Sequence, residues 1–322
     1  MPALPQRPFG RTGENCSALG LGGGFVGFTG FERAIATVHR ALELGVGYVD
    51  TSVMYLNGAS QPILGAALAG RARQPFLATK IGYFKEARHY RSVEAMHVQL
   101  RENLRLLRRD SVDLLQMHEA DWDQWWSDRP GLRPGERFDL GGSFDFAGAP
   151  VIQFLREARA LGLCRRIGIT GNNARHVGRV LQELDGIDSV LIAYNYHPLN
   201  VTAREHIIPV ATAKGVAVVV AGVFTFVNSL PAGWRTEGTY FGRDADRQLA
   251  ALQQLQQASG LPMAELALRF VIADQRISTI LVGAREPAEI EQNVVSFLRG
   301  ALPPDLHAAV EAVAAQFTLS TP

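Results

Sequence analysis

Eight short apolar runs, each separated from the next by a segment with helical spacing, constrain this chain more than any other feature. They begin "SALGLG" at 17, "VGYVD" at 46, "FLATKIG" at 76 and "VDLLQMH" at 112, and continue "CRRIGIT" at 164, "SVLIAYN" at 189, "VAVVVAG" at 216 and "STILVG" at 278. Several are nearly continuous in Val, Ile and Leu, as parallel strands covered on both faces should be. The intervening segments read as amphipathic helices. "FERAIATVHRALELG" places Ile35, Val38 and Leu42 on one stripe and stops at Gly45. "SVEAMHVQLRENLRLLRR" has Ser92 as an N-cap, with Met96, Leu100, Leu104 and Leu107 on one side.

Eight strands alternating with helices predict an α/β fold, a (β/α)8 TIM barrel rather than an open doubly wound sheet. The segment "PFGRTGENCSA" before the first strand reads as a β-hairpin plugging one end of the barrel. No Pro/Gly/Ser-rich linker divides the 322 residues, so residues 1–322 are expected to form one domain. Two connections are long: one follows the fourth strand and carries Trp122, Trp125 and Trp126, and one follows the seventh and carries Trp234 and Tyr240. Both leave strand C-termini, the face on which barrel active sites lie.

Charge and cysteine content narrow the partners. A formal net charge of +1 gives no footprint for nucleic acid or a membrane surface. Cys16 and Cys164 lie far apart without metal-ligand spacing, which fits a reducing compartment, and no metal site is expected. The N-terminus lacks a signal-peptide layout, and "VAVVVAGVF" is too short to span a bilayer. The expectation is a soluble, cytoplasmic protein acting on a small molecule; the sequence assigns no oligomeric state.

The strand ends carry the chemistry. Alternation in the second run places Val46, Tyr48 and Asp50 on one face; in the third, Phe76, Ala78 and Lys80; in the fourth, Val112, Leu114, Gln116 and His118. Three consecutive strands thus end on ionisable residues. Parallel neighbours lie roughly 5 Å apart, so Asp50, Lys80 and His118 can meet at one rim, with Tyr55 on the loop above. A phenol titrates near pH 10; moving it toward 7 needs about 3 units, or roughly 4 kcal/mol. A nearby ammonium supplies energy of that order at an effective dielectric of about 20, and Asp50 would keep Lys80 charged. The set reads as a general acid–base centre for carbonyl/alcohol interconversion that needs a hydride-carrying cofactor.

The segments "FGRTGENCSALGLGGG", "VDTSVMYLNGASQPILGAAL", "LATKIG", "LRENLRLLRRDSVDLLQMHEAD", "LREARALGLCRRIGIT" and "ALRFVIADQRISTILVGAREPAEIEQNV" resemble, in order, those of the aldo-keto reductase superfamily. The form of the chain is most similar to the sugar-dehydrogenase branch. The resemblance implies NAD(P)H extended across the strand C-termini, Tyr55 as acid/base, Lys80 and Asp50 tuning it, and His118 positioning substrate. It implies cofactor contacts from Gly23, Gly24, Phe25 and Asp50, then from Thr170, Asn172 and Asn173. The remaining contacts fall on Ala221, Gly222, Val223 and Phe224, and on Val282, Gly283, Ala284, Arg285, Glu289, Gln292 and Asn293. Departures from the family pattern are Gln61 for a usual Glu, "TGNNA" for a usual Ser-Asn, Leu191 for a usual Gln, and Glu289 at a common Arg position. Glu289, with Gln292 at a common Glu position, leans the cofactor toward NAD(H) over NADP(H). Phe84, Trp125 and Trp126 are expected to line the substrate pocket, beside Lys85 and Tyr90.

Three rival readings are weaker. "GGGFVG" at 22–27 fits a dinucleotide fingerprint, but no helix opens within it. Lys80 as a Schiff-base nucleophile needs a neutral amine, which Asp50 opposes. A non-catalytic NAD(P)-binding relative would leave the four residues unused.

Overall fold

The computed structural model describes residues 2–226 and 245–316; Trp234 and Tyr240 lie outside them. A two-stranded antiparallel hairpin, β1 (Gln6–Pro8) and β2 (Asn15–Ser17), opens the chain. Eight parallel strands follow: β3 (Leu19–Gly22), β4 (Tyr48–Asp50), β5 (Phe76–Ile81), β6 (Val112–Met117), β7 (Cys164–Gly171), β8 (Ser189–Ala193), β9 (Ala217–Ala221) and β10 (Thr279–Val282). They pair in chain order, and β10 hydrogen-bonds both β9 and β3, which closes the barrel. Each of the eight apolar runs is one of these strands.

The outer layer includes α1 (Phe31–Glu43), α2 (Ser60–Leu68), α3 (Val93–Leu107), α4 (Pro150–Ala160) and α5 (Ala174–Glu183). After these come α6 (Ala203–His206), α7 (Ile208–Lys214), α8 (Ala245–Ser259), α9 (Met263–Ile272), α10 (Pro287–Leu298) and α11 (Pro304–Ala314). Helix α3 starts where Ser92 accepts a hydrogen bond from the Ala95 N–H and buries Met96, Leu100, Leu104 and Leu107, as its spacing predicts. In α1 the buried face is instead Ala34, Thr37, Val38 and Ala41, with Ile35 and Leu42 half-buried at its margin. Small residues occupy the centre because α1 packs closely on α2 and α10.

Two apolar cores result. One fills the layer between strands and helices. The other is the barrel interior, with Phe9, Cys16, Tyr48, Ala78, Leu114, Leu191, Ala217, Val219 and Leu281. Phe9, on the hairpin turn, enters that interior and packs 4.9 Å from the Phe76 ring and 6.1 Å from Tyr48. Gly10 makes the entry possible: its φ is +57°, and a Cβ there would lie 2.6 Å from the Ala217 N and the Gly215 O. The adjacent Arg11 N–H donates to the Gly215 carbonyl. The hairpin therefore seals the N-terminal end, leaving the C-terminal rim as the open one.

Candidate active site

Alternation along β4, β5 and β6 carries the apolar interior rows upward until they end on polar groups. Asp50, Lys80 and Gln116 are each at most 1% exposed. The Lys80 ammonium donates to Asp50 Oδ1 and, at 2.9 Å, to the Thr51 carbonyl. Gln116 Nε2 donates to Asp50 Oδ2 at 2.9 Å, so both carboxylate oxygens are held inside the protein. Asn103 Nδ2 on α3 donates to the Lys80 carbonyl and fixes that strand end. Burial pushes the Lys80 ammonium down and the Asp50 carboxyl up, and each charge supports the other against that pressure.

Tyr55 lies on the loop after β4, half-buried, with Lys80 Nζ 4.7 Å from its ring centroid. Its ring meets that of His118 edge-on, 5.8 Å between centroids. The four residues thus gather at one rim. The expected lowering of the phenol pKa is not found: burial, then the charges of Asp50, Tyr194 and Glu119, push it well above its ordinary value. The reason is geometric. Lys80 stands over the ring face and directs its hydrogen bonds to Asp50 and Thr51.

His118, 4% exposed, is pushed well below the ordinary imidazole range by burial and then by Lys80, so it is neutral at pH 7. Its Nδ1 shares a 3.0 Å hydrogen bond with Ser52 Oγ, which also accepts from the Met54 N–H. If Ser52 donates to Nδ1, both contacts are satisfied and the ring proton sits on Nε2, facing the site. Glu119 lies beside it, 3.8 Å from Nε2 through Oε1. Non-glycine residues with positive φ collect around this centre: Leu56, Asn57, Tyr83, Glu119 and Tyr194. Such backbone persists only where its surroundings over-determine it, and it concentrates at functional sites.

Several anticipated neighbours play other parts. Trp125 is fully buried, donates Nε1–H to the His118 carbonyl at 2.9 Å and packs on Tyr90. Trp126 is also buried and donates to the Ala120 carbonyl. Both brace the end of β6 from behind instead of walling a pocket. Phe84 is half-buried against Tyr90 and His89, and Lys85 is exposed. The aromatic residues beside His118 are Tyr83, 4.7 Å away by ring centroid, and Trp122 behind it. Sequence reasoning passed over Tyr83 because it sits past the last strand residue.

The anticipated cofactor residues divide similarly. Gly23 and Gly24 follow β3; Gly24 has nothing within 4 Å of a would-be Cβ. Phe25 is exposed, stacks on Phe28 and crosses to Gly283, where a Cβ would lie 2.9 Å from its ring. Val282 and Ala284 are buried, and Asn293 Nδ2 donates to the Gly283 carbonyl. On the other side, Ala221, Gly222 and Phe224 are partly exposed and Val223 is buried. The Tyr194 ring lies against Gly222, 2.7 Å from where a Cβ would stand. An aromatic is therefore present near the seventh barrel strand, but it comes from the sixth. Leu191 faces the apolar interior.

Near the end of β7, Thr170 Oγ1 accepts from the Glu119 N–H, and just after the strand Asn172 Nδ2 donates to Glu119 Oε1 at 2.8 Å. Asn173 is spent as the α5 N-cap, accepting from the Arg175 and His176 N–H groups, so its side chain differs from the expected ligand role. At the start of α10, Glu289 accepts from the Arg285 N–H and from Arg285 Nε. Gln292 is exposed and lines a groove toward Glu265 on α9, away from that pair. Of Gly23, Gly24, Gly222 and Gly283, only Gly24 leaves open space at the rim for close approach of a ligand, since the Tyr194 ring covers Gly222 and the Phe25 ring covers Gly283.

A (β/α)8 barrel with ionisable groups at the carboxyl ends of its strands has the layout of the barrel enzymes. More narrowly, the Aldo/keto reductase family model matches residues 18–315, and the chain belongs to that family. L-galactose dehydrogenase of Arabidopsis thaliana is 28% identical over 309 residues, covering 92% of this chain and 89% of the relative. D-threo-aldose 1-dehydrogenase of a Pseudomonas species is 24% identical, covering 86% and 88%. The NADH-specific methylglyoxal reductase of Escherichia coli is 26% identical, covering 90% and 92%. Among solved structures, the holo form of an aldo-keto reductase from Bacillus halodurans superposes with a TM-score of 0.75 at 23% identity, covering 97% and 96%. The protein is accordingly an oxidoreductase acting on CH–OH or carbonyl groups of small molecules, in a family that uses NAD(P)(H). Among the described residues no helix is long and apolar enough to cross a membrane.

Proposed function

We propose that residues 1–322 act as one domain that interconverts an aldehyde, ketone or sugar hemiacetal with its alcohol or lactone, using NAD(P)(H). The observation that carries this is the convergence of Tyr55, Lys80, Asp50 and His118 at the open rim. When bound, NAD(P)(H) would supply or accept the hydride. Tyr55, neutral and close to His118, carries the proton to or from the substrate oxygen. His118 donates from Nε2 to that oxygen and orients it. Lys80 and Asp50 form a fixed ion pair beneath the phenol that holds its ring in place. A phenol that stays protonated favours the donor role, that is, carbonyl reduction; oxidation uses the same group in reverse. Lys80 as an electrophile-trapping amine fits poorly, because its ammonium is fully buried and bound to Asp50 and Thr51.

The preference is for NAD(H). Glu289 already occupies the Arg285 guanidinium and backbone N–H, so a 2′-phosphate would have to displace a carboxylate to reach Arg285. The NADH-specific relative is in keeping with this.

Fluorescence titration with NADH and NADPH, on wild type and Tyr55→Phe, tests both readings. Turnover in Tyr55→Phe should fall by about 10³-fold while cofactor affinity holds, and NADH should bind more tightly than NADPH. Full activity in Tyr55→Phe removes the acid–base assignment; tighter NADPH binding removes the cofactor assignment.

A further inference from the structure

Among the described residues, Glu119 is a carboxyl beside the reacting centre that neither the ion pair nor the orientation of His118 uses. It follows His118 directly at the end of β6, its backbone held at φ +60°, and it is 3% exposed, matching the 4% of His118. Its two oxygens are unequal. Oε1 accepts from the Tyr83 hydroxyl at 2.9 Å and from Asn172 Nδ2 at 2.8 Å. Oε2 is buried and has no hydrogen-bond partner.

That asymmetry is costly for an ionised carboxylate, whose second oxygen would be a charged acceptor buried without a donor. It suits a neutral acid, in which Oε1 is the carbonyl oxygen with two donors and Oε2 bears a hydroxyl with no acceptor. Burial and the neighbouring Asp121 push Glu119 up to about 8, against the opposing pull of Tyr83, Asn172 and Lys80.

We propose that Glu119 is a specificity-determining residue that binds, through Oε2, a hydroxyl on the carbon next to the reacting carbonyl, so that the site selects hydroxy-aldehydes and sugars over plain aldehydes. The placement rests on the proposed function: the substrate oxygen lies against His118 Nε2, and the neighbouring carbon then extends toward Glu119, whose Oε1 is 3.8 Å from that nitrogen and whose Oε2 is left for the hydroxyl. A site that provides a buried donor for a substrate hydroxyl discriminates strongly against the analogue lacking it, because the donor is then unpaired.

The test is steady-state kinetics with glycolaldehyde and acetaldehyde, which differ by one hydroxyl, on wild type, Glu119→Leu and Glu119→Gln. Glu119→Leu removes the acceptor of the Tyr83 hydroxyl and of Asn172 Nδ2, so both substrates lose some kcat/KM. Glycolaldehyde should lose at least about tenfold more, the effect of one buried hydrogen bond. Glu119→Gln keeps two acceptor sites on Oε1 and a donor at Nε2, so it should restore the wild-type ratio of the two substrates. Equal losses for both substrates in Glu119→Leu would mean that Glu119 only braces Tyr83 and Asn172, and would overturn the proposal. A Gln variant as unselective as Leu would overturn it as well. If wild type reduces acetaldehyde but gains nothing from the hydroxyl, the proposal fails while the oxidoreductase assignment to these residues stands. If wild type reduces neither with NADH or NADPH, both fail together.

Discussion

The two ends of the barrel are built from the same side-chain rows and behave in opposite ways. At the N-terminal end Phe9, Tyr48 and Phe76 pack ring on ring, with Ala78 and Leu114 above them. Two residues further along the same strands the rows become Asp50, Lys80 and Gln116, followed by His118. The side chains of both rows are buried, Phe76 partly. One is closed by apolar contact with a hairpin, the other held by an ion pair and a shell of amides. Stability and chemistry are thus assigned to opposite ends of one interior, and each can be disturbed separately.

Removing the cation at the rim should give the largest disturbance. Lys80→Met leaves the Asp50 carboxylate buried with only Gln116 as a donor, and losing one partner of a buried pair costs about 3–5 kcal/mol. Urea unfolding should show that loss together with a collapse of turnover; adding Asp50→Asn should return much of the stability and none of the activity. Unchanged stability in Lys80→Met would show that the pair does not hold the rim.

At the sealed end, Phe9→Ala should cost about 3 kcal/mol by opening a cavity among Tyr48, Phe76 and Ala217. Because it shares no partner with Tyr55 or His118, kcat/KM should stay within about threefold. A loss of activity as deep as the loss of stability would break the separation of the two ends.

A third comparison works through pH. Glu119 is raised from 4.5 to about 8 by folding, so the folded protein keeps a proton that the unfolded chain releases. Its contribution to stability is complete at low pH and declines as pH rises from about 4.5 to 8, by about 1.4 kcal/mol per unit of displacement at most. Glu119→Gln should flatten that decline when unfolding is compared at the two ends of this window. Parallel curves for wild type and variant would show that Glu119 is ionised in the folded protein.

Much of this was legible before any coordinates. The eight runs gave every barrel strand, and period-two alternation delivered Asp50, Lys80 and His118 to one rim, because strand geometry repeats with the chain itself. Even the plug was readable from its turn residues. Legibility stopped where the strands do. Beyond the last strand residue the chain enters left-handed backbone at Tyr83, Glu119 and Tyr194, and no periodicity says where those side chains go. The indoles of Trp125 and Trp126 had two possible fates; the backbone carbonyls of His118 and Ala120 decided for burial. Asn173 was needed more by α5 than by a ligand. Charge alone suggested that Lys80 would acidify Tyr55, but the direction of its hydrogen bonds and the burial of the phenol reversed the sign. The sequence by itself determined the barrel and which residues stand at its open end, since both follow from local periodicity. Only the tertiary structure decided who their partners are, because pairing at the rim joins residues tens of positions apart through loops whose conformation is set by packing.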